Sequence, residues 1–382
     1  MTTFNHLDHH YMARAISLAK KGKYTCSPNP RVGCVLVKSG QVVGEGFHQK
    51  AGQGHAEVNA LKMAGENAKG ATAYVTLEPC SHFGKTPPCA DALIEAGVAK
   101  VIAAMVDPNP EVSGRGLARL NKAGIKTRSG LLEADARALN PGFIKLMTTS
   151  MPYVRCKLAA SLDGKTAMAS GESQWITSQD ARKDVQKLRA QSCAVITGAD
   201  TILIDDARMS VRWHELADIS DKLEASQLRQ PVRVIIDSKN RLSPNLALFS
   251  IESPIILIRH TIESIHQWPA YVEQVALPLA LDSNFIDLEN VLSFLADRGL
   301  NDILVEAGQT LAGAFFQQDL IDELILYQAP KLMGADANSL LNLPDVSKLS
   351  QAKQLTIVDV CQIGCDIKLT ALVKHSCENL YQ

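Results

Sequence analysis

The feature that most constrains this 382-residue chain is a set of three metal-binding side chains in its first quarter. His55 opens the run His55-Ala-Glu57, the dipeptide Pro79-Cys80 follows, and Cys89 comes after a further eight residues. One imidazole and two thiolates form the ligand set of a zinc site that keeps its fourth position open for water. The set requires three separate stretches of chain to meet at one point, and it leaves Glu57 as a carboxylate that need not bind metal.

These residues indicate a particular chemistry. A zinc ion lowers the pKa of its bound water toward neutrality, and Glu57 is close enough in sequence to His55 to shuttle the proton. Zinc nucleobase deaminases combine His-x-Glu, Pro-Cys and a second Cys in this order. Most of them close the second element as Cys-x-x-Cys, whereas eight residues separate Cys80 from Cys89 here. The alternative is two unrelated cysteines and a surface histidine, since short motif matches often arise by chance.

Composition narrows the class of protein. Hydrophobic residues make up 46% and charged residues 21%, as in ordinary globular proteins. The formal net charge of −1 gives no global field that would favour nucleic acid or an anionic membrane. We find neither an apolar run of membrane-spanning length nor a signal-peptide pattern, and nine cysteines fit a reducing compartment better than a disulfide framework. We therefore expect a cytoplasmic protein with a small-molecule partner and no nucleic-acid or membrane partner.

The first part of the chain alternates predicted helices and strands. We predict helices at 7–21, 56–64 and 90–96, and strands at 32–38, 41–46, 72–77 and 101–105. Ser39-Gly40 is a hairpin signal between the first two strands. The alternation predicts a layered α/β domain. It places the metal-binding residues at strand-to-helix junctions, where helix N-termini favour thiolate.

A change in pattern near 147–152 predicts the start of a second α/β domain. We predict a helix at 178–190 capped by Ser178, and strands at 153–159, 194–197, 232–237, 255–258, 302–306, 324–329, 355–361 and 366–373. No Gly-x-Gly-x-x-Gly follows a strand, so a Rossmann nucleotide site is not supported. The predicted domains are 1–148 and 151–373, and residues 376–382 look like the remnant of a tag.

Several segments resemble the bifunctional deaminase/reductases of riboflavin biosynthesis. Ser27-Pro-Asn-Pro-Arg-Val-Gly-Cys34, His55-Ala-Glu-Val58 and the run from Glu78 to Cys89 resemble the deaminase half of that family. Lys157-Leu-Ala-Ala-Ser-Leu-Asp-Gly164, Ser173-Gln-Trp-Ile-Thr177 and Leu304-Val-Glu-Ala-Gly308 resemble the reductase half. The resemblance implies a cytidine-deaminase-like three-layer α/β/α domain with Zn²⁺, followed by a dihydrofolate-reductase-like α/β domain with NADPH.

For the first half, the resemblance implies that His55, Cys80 and Cys89 bind zinc and that Glu57 is catalytic. It implies that six residues contact the deaminase substrate: Asn29, His48, His82, Lys85, Asp107 and Asn109. Other interpretations remain open, because Glu57 fits a solvated helix start, Asn29 a turn between two prolines, and Lys85 a solvated loop. Asn59 departs from the family, where we expect His in many relatives, and this affects bonding around the ligands.

For the second half, the resemblance implies that seven residues surround NADPH: Ala159, Trp175, Thr201, Asp205, Ser238, Gly308 and Gly313. It implies that five contact the reductase substrate: Ser173, Arg189, Met209, Arg212 and Glu306. The glycines would let a phosphate approach the backbone, although ordinary loop glycines and a core Trp175 are open alternatives. The run Asp205-Asp-Ala-Arg208 lacks the Pro usual in the family, which makes Arg208 a rival to Arg212 as phosphate partner.

The resemblance predicts two successive reactions. The first domain would hydrolyse an amino group from a diaminopyrimidine ribosylamino phosphate and release ammonia, and the second would use NADPH to reduce the ribosyl group to ribityl. We expect a homo-oligomer, either dimer or tetramer. Two alternatives are a zinc deaminase for another nucleoside or base with a degenerate second domain, and a non-catalytic zinc-stabilised binding protein. In the latter, four protein ligands would close the metal site.

Overall fold

The computed structural model describes residues 4–81, 87–110, 112–216, 219, 224–263 and 265–374. The chain divides into two compact units, Met1–Ser150 and Met151–Leu380. Among the described residues, no helix combines the length and the apolar character that crossing a bilayer requires.

The first unit contains a five-stranded sheet flanked by helices. Its elements are α1 (His6–Lys20), β1 (Gly33–Lys38), β2 (Gln41–Phe47), α2 (Ala56–Ala64), β3 (Thr72–Val75), α3 (Cys89–Glu95), β4 (Lys100–Ala103), α4 (Arg115–Lys122), β5 (Lys126–Ser129), α5 (Glu133–Leu139) and α6 (Pro141–Thr149). The strand order is β2-β1-β3-β4-β5. Strand β1 is antiparallel to both its neighbours, and β3, β4 and β5 are parallel.

Local sequence explains where α1 begins and how β1 and β2 are joined. Asn5 and Asp8 form a capping box at the start of α1, which satisfies two backbone donors that the helix leaves unpaired. Ser39 and Gly40 both have positive φ, 51° and 77°, as a two-residue hairpin turn requires. The hairpin that the sequence predicts is therefore confirmed.

Close backbone contacts place helices on both faces of the sheet. A Cβ on Gly33 would lie 2.0 Å from Ala15 O of α1, and a Cβ on Gly46 would lie 2.6 Å from Ala56 O of α2. Gly33 and Gly46 are adjacent in the β1–β2 register, with Cys34 opposite Gly46, so they point to opposite faces. Helices α1 and α2 therefore cover opposite faces, which confirms the predicted three-layer α/β/α arrangement.

The second unit is built on a nine-stranded sheet. Its elements are β6 (Tyr153–Ser161), β7 (Lys165–Ala167), α7 (Gln179–Gln191), β8 (Ala194–Gly198), α8 (Ala199–Asp205), β9 (Val232–Ile236), β10 (Ile255–Arg259), β11 (Val272–Ala276), α9 (Leu288–Asp297), β12 (Asp302–Val305), α10 (Gln309–Gln317), β13 (Glu323–Ala329), β14 (Asn338–Ser339), β15 (Leu355–Ile363) and β16 (Asp366–Val373). The strand order is β11-β10-β9-β8-β12-β6-β13-β16-β15. Strands β11 to β13 in this order are parallel, and β16 and β15 are antiparallel additions.

Alternating residues of the parallel strands feed two hydrophobic cores. Ala194 and Ile196 of β8 pack in the core that contains Phe315 and Phe316 of α10. Val195, between them, packs in the core that contains Val185 of α7. Both faces of the parallel strands are thus covered by helices, as parallel sheets require. In such sheets ligands bind at the carboxyl ends of the strands.

Candidate active sites

The three predicted metal ligands meet in the first unit. His55 is the N-cap of α2, Cys80 follows β3, and Cys89 is the first residue of α3. One potential ligand atom from each residue lies within 4.8 Å of the others. The strand-to-helix junctions that the sequence predicts therefore bring the imidazole and both sulfurs to one point.

The geometry and donor set fit zinc. The distance from His55 Nδ1 to Cys89 Sγ is 3.2 Å and to Cys80 Sγ 3.7 Å. Metal–ligand bonds of about 2.0–2.3 Å in a tetrahedron place the ligand atoms about 3.6–3.8 Å apart. Nitrogen and sulfur are also the atoms that zinc prefers. The residues can therefore hold the ion with little movement.

The two thiols differ in protonation. The Cys89 thiol hydrogen-bonds to Cys80, whose sulfur also accepts the Cys89 backbone N–H at 3.2 Å. These bonds lower the pKa of Cys80 to about 4, while the bond to Cys80 and burial raise the pKa of Cys89. The site thus already favours one thiolate at neutral pH, and zinc binding would release the proton of the second.

Glu57 lies beside these ligands in the first turn of α2 and is 3% exposed. Burial, followed by the negative charge of Cys80, raises the pKa of Glu57 to about 7. A general acid/base works best when its pKa is near the working pH. The alternative of a solvated charge at the helix start is excluded by this burial.

Two features fix the start of α2. Gly44 and Gly46 let β2 approach the helix closely, because a Cβ on either would lie under 2.7 Å from backbone atoms of α2. Asn59, one turn after His55, donates from Nδ2 to Phe47 O at 2.9 Å and to Gly54 O at 3.2 Å. The residue that departs from the expected family pattern therefore secures the loop that carries His55.

His48 and Asn29 form a second hydrogen-bonded group near the metal ligands. His48 Nδ1 donates to Gly54 O at 3.3 Å, which leaves Nε2 to accept from Asn29 Nδ2 at 3.1 Å. The His48 ring stands edge-on to His55 at 5.4 Å between centroids, and burial lowers its pKa. A neutral His48 thus directs the Asn29 amide group, so that Asn29 has a role beyond the turn.

Of the remaining predicted substrate residues of the deaminase domain, the structure describes Asp107 and Asn109. Asp107 is buried, and its carboxylate accepts the Asn109 N–H at 2.9 Å. His82 and Lys85 lie outside the described residues. Sequence reasoning missed Glu78, whose carboxylate accepts the Asp107 N–H at 3.0 Å. Its only sequence signal is an acidic residue between a buried strand and Pro79-Cys80.

In the second unit, the predicted site residues collect at the carboxyl edge of the parallel strands. Ala159 lies near the end of β6, Thr201 in the helix after β8, Ser238 after β9, and Glu306 and Gly308 after β12. A Cβ on Gly308 would meet no atom within 4 Å, so the start of α10 is open. This edge is the expected ligand position in such a sheet.

A buried ion pair lies at the centre of that edge. Arg189 of α7 binds both oxygens of Glu306, at 2.6 and 2.9 Å. Burial alone would raise the pKa of Glu306, but the charge and hydrogen bonds of Arg189 outweigh it and lower the pKa. Lys157 of β6, which the sequence analysis did not select, faces the same pair; burial lowers its pKa and Glu306 opposes that effect.

The loop after α8 holds the other proposed substrate residues. Arg212 forms a bidentate pair with Glu215 at 2.7 and 2.9 Å, and its guanidinium also lowers the pKa of Glu306 by its charge. Met209 is buried with a positive φ of 54°. Arg208 is exposed. Arg212, and not Arg208, is therefore the arginine that electrostatically couples to the Arg189–Glu306 pair.

The segment around Trp175 is exposed to solvent. Trp175 is 62% exposed, so it is not a core residue. The Arg182 guanidinium lies 4.5 Å from its ring centroid. Ser173 is half-buried nearby in sequence, and Asp205 accepts from Gln174 Nε2 at 3.1 Å. An exposed aromatic ring can stack on a planar ligand.

Gly313 has a packing role that the sequence did not reveal. It is buried inside α10, and a Cβ there would lie 2.2 Å from Asn342 O. The space that a side chain would take is filled by the Asn342 backbone. This packing alone requires glycine at 313, and the contact of Gly313 with NADPH stays a prediction.

Comparison with known proteins agrees with the two-domain organisation. Residues 5–105 match the cytidine and deoxycytidylate deaminase zinc-binding region, and residues 152–369 match the RibD C-terminal domain. The chain is 53% identical to the riboflavin biosynthesis protein RibD of Escherichia coli over 95% of this chain and 98% of that protein. Similar solved structures are RibD of Acinetobacter baumannii (TM-score 0.87, 45% identity, 96% of this chain and 99% of the other) and a diaminohydroxyphosphoribosylaminopyrimidine deaminase/5-amino-6-(5-phosphoribosylamino)uracil reductase of Thermotoga maritima (TM-score 0.82, 34% identity, again 96% and 99%).

Fold and sites thus define an enzyme with a zinc-binding deaminase domain followed by a reductase domain of dihydrofolate-reductase type. The chain belongs to the RibD family and is a bifunctional deaminase and reductase of riboflavin biosynthesis. The expected family and activity are confirmed. Neither a deaminase with a degenerate second domain nor a non-catalytic zinc protein fits these findings.

Proposed function

We propose that the deaminase domain acts on 2,5-diamino-6-ribosylamino-4(3H)-pyrimidinone 5′-phosphate, and that the reductase domain then uses NADPH to form 5-amino-6-ribitylaminouracil 5′-phosphate. The name of the Thermotoga maritima relative supports this pair of substrates. The observation that carries the proposal is the convergence of His55, Cys80 and Cys89 beside the buried Glu57. We assign residues 1–148 to the deaminase domain and 151–373 to the reductase domain.

In the deaminase site, His55, Cys80 and Cys89 would hold zinc, which when bound supplies an activated water. Glu57 takes the proton of the attacking water and returns it to the leaving amino group, a role for which its buried position beside the ligands is suited. Asn29, directed by His48, orients the pyrimidine ring, and Asp107 and Asn109 contact the substrate from the loop after β4. His82 and Lys85 complete the proposed set, with Lys85 on the phosphate.

In the reductase site, NADPH would lie along the carboxyl edge of the parallel strands. The fit rests on the open start of α10 at Gly308 and the exposed ring of Trp175, with Ala159, Thr201, Asp205 and Ser238 along the same edge. The cofactor supplies the hydride. Arg189, Glu306, Arg212, Met209 and Ser173 bind and orient the ribosyl phosphate.

The direct test is turnover of the diaminopyrimidine phosphate by the full chain, with and without NADPH, followed by mass spectrometry. Without NADPH we expect loss of the amino group only. With NADPH we expect a further gain of two hydrogens in the product. Equal turnover with NADH, or reduction without loss of the amino group, would contradict the proposal.

We also infer that the enzyme acts in the cytoplasm as a homo-oligomer. Edge strand β15 supports association, because Ile357, Val358 and Val360 are each more than 50% exposed. An exposed apolar edge strand favours pairing with another strand. Strand β15 of a second copy of the chain is such a partner, because Asp359 is the only charged residue within Leu355–Ile363. Light scattering should find a dimer or tetramer, and Ile357→Lys should shift it toward the monomer.

A further inference from the structure

Glu78 is a buried carboxylate, and within the part of the chain that the structure describes its side-chain hydrogen bonds run to residues 107–117. It is 3% exposed and lies two residues before Cys80. Its Oε2 accepts the N–H groups of Asp107 and Gly114 at 3.0 and 2.9 Å. Its Oε1 accepts those of Gly116 and Leu117 at 2.9 and 3.1 Å.

These four N–H donors belong to two parts of the chain that lie beside the Pro79-Cys80 segment: the loop after β4 and the start of α4. The Asp107 N–H starts the loop that carries Asn109, and Gly114 is the N-cap of α4. The first turn of α4 is pressed against the ligand segment, because a Cβ on Gly116 would lie 2.0 Å from Pro79 O. The backbone N–H of Glu78 in turn donates to Met105 O at 3.0 Å. Glu78 thus ties the Pro79-Cys80 segment to the 105–117 segment through both its backbone and its side chain.

The consequence for Asp107 is specific. Its backbone N–H is held by Glu78, and its carboxylate accepts the Asn109 N–H. The Glu78 carboxylate therefore contributes directly to the placement of the Asp107–Asn109 segment relative to Cys80. The carboxylate is suited to this because an ionised Glu offers acceptor sites on both oxygens, whereas the amide of Gln offers only one oxygen.

We infer that Glu78 is a positioning residue for deamination, which sets the Asp107–Asn109 segment against the metal-bound centre without touching the substrate itself. This inference rests on the proposed contact of Asp107 and Asn109 with the substrate. Misplacement of binding groups by about 1 Å costs up to about 10²-fold in rate. Loss of the Glu78 bonds should therefore act on substrate binding more than on metal content.

The test is Glu78→Gln in the full chain. We expect about one zinc per chain, an unchanged rate of reduction of pre-deaminated substrate, and a KM for deamination raised about 10- to 10²-fold, with a smaller fall in kcat. Glu45→Gln is the matched control, since Glu45 makes an exposed pair with Arg14 in the same unit. It should leave KM and kcat unchanged.

Four outcomes separate the possibilities. A lower melting temperature with unchanged KM and kcat would make Glu78 merely structural, and loss of zinc would make it a support for Cys80; either result overturns the inference. If Glu78→Gln does not fold, Glu78→Asp keeps both oxygens on a shorter side chain and should show the raised KM, and an unchanged KM there overturns it too. Failure of the wild-type chain to deaminate the diaminopyrimidine phosphate would instead refute the proposed function.

Discussion

The two sites of this enzyme are built in opposite ways. The deaminase site draws its metal ligands and Glu57 from a stretch of 35 residues, in which His55 is the N-cap of α2, Cys80 follows β3 and Cys89 begins α3. The proposed reductase residues extend from Ala159 to Gly308. Some lie at or just after the ends of four parallel strands, and others, such as Arg189 of α7 and Arg212, lie in the helices and loops that connect the strands. The deaminase site depends on the nitrogen and sulfur atoms that bind the metal, and the proposed reductase site depends on the shape of the carboxyl edge of the sheet.

Chemistry explains the difference. Zinc accepts few donor types at fixed distances, so its site must use His and Cys whatever the surrounding fold. A dinucleotide is held largely by backbone groups and surface shape, which many sequences can provide. The comparison predicts that single substitutions should act severely in the deaminase site and more gradually in the reductase site.

Removing a ligand should have the largest effect. Cys80→Ser replaces a sulfur whose neighbours already favour thiolate, so metal analysis should fall from about one zinc per chain to nearly none. Deamination should disappear, while reduction of pre-deaminated substrate continues. Cys361→Ser, which removes a thiol from the other unit, is the control. Full zinc retention by Cys80→Ser would remove Cys80 from the ligand set.

Replacing Glu57 by Gln should have the next largest effect on deamination. The amide keeps the shape of the side chain but cannot accept the proton, so deamination should fall by about 10²–10⁴-fold. Zinc content and reduction should be preserved, which separates this variant from Cys80→Ser. Normal deamination by Glu57→Gln would show that the buried carboxylate is structural.

Much of the fold was predictable where pattern and capping agree. The predicted helix at 56–64 matches α2, and the Ser178 cap of α7 is confirmed by its hydrogen bond to the Ala181 N–H. The predicted strand at 72–77 is shorter in the structure, because β3 ends at Val75 and the chain then turns to deliver Cys80. Helices α4, α5, α6, α8, α9 and α10 were not predicted. In α4 the stabilising carboxylate of Glu78 comes from 36 or more residues away, which no local pattern reveals.

The candidate sites were predictable to different degrees. His55, Cys80 and Cys89 followed from residue type and order alone. The partners of Asn29 and Asn59 did not, because His48 and the carbonyls of Phe47 and Gly54 are brought to them by the fold. In the reductase domain, Gly313 shows that a resemblance gives a position but not its physical reason.

The buried Arg189–Glu306 pair of the reductase domain should contribute measurably to the free energy of unfolding. Glu306→Gln leaves Arg189 buried without its counter-charge, and breaking such a pair costs about 3–5 kcal/mol. The pKa of Glu306 is lowered in the folded state, so its contribution is present above its unfolded pKa of about 4.3 and is lost as pH falls through the folded value. Urea unfolding at pH 7 should separate the variant from the wild type, and the gap should narrow only as the pH falls below about 4. A gap that grows on acidification would contradict the linkage.

The smallest effect should come from Arg212. A guanidinium fits phosphate oxygens in a planar, bidentate way, and charge-assisted hydrogen bonds contribute about 1.5–3 kcal/mol each. Arg212→Ala should therefore lower kcat/KM for reduction by about one to two orders of magnitude. Deamination and NADPH affinity should change little, because those groups lie elsewhere. Steady-state kinetics with pre-deaminated substrate measure this directly.

Glu215 sharpens that prediction, because its two carboxylate oxygens accept from Nε and Nη2 of Arg212. If Arg212 binds the substrate phosphate, Glu215 competes for the same donors, and Glu215→Gln should lower the KM for reduction. If Arg212 serves only to anchor its loop, Glu215→Gln should raise KM or leave it unchanged. Arg208→Ala is the control at the exposed end of the Asp205–Arg208 run. A silent Arg212→Ala together with a damaging Arg208→Ala would move the phosphate site to Arg208.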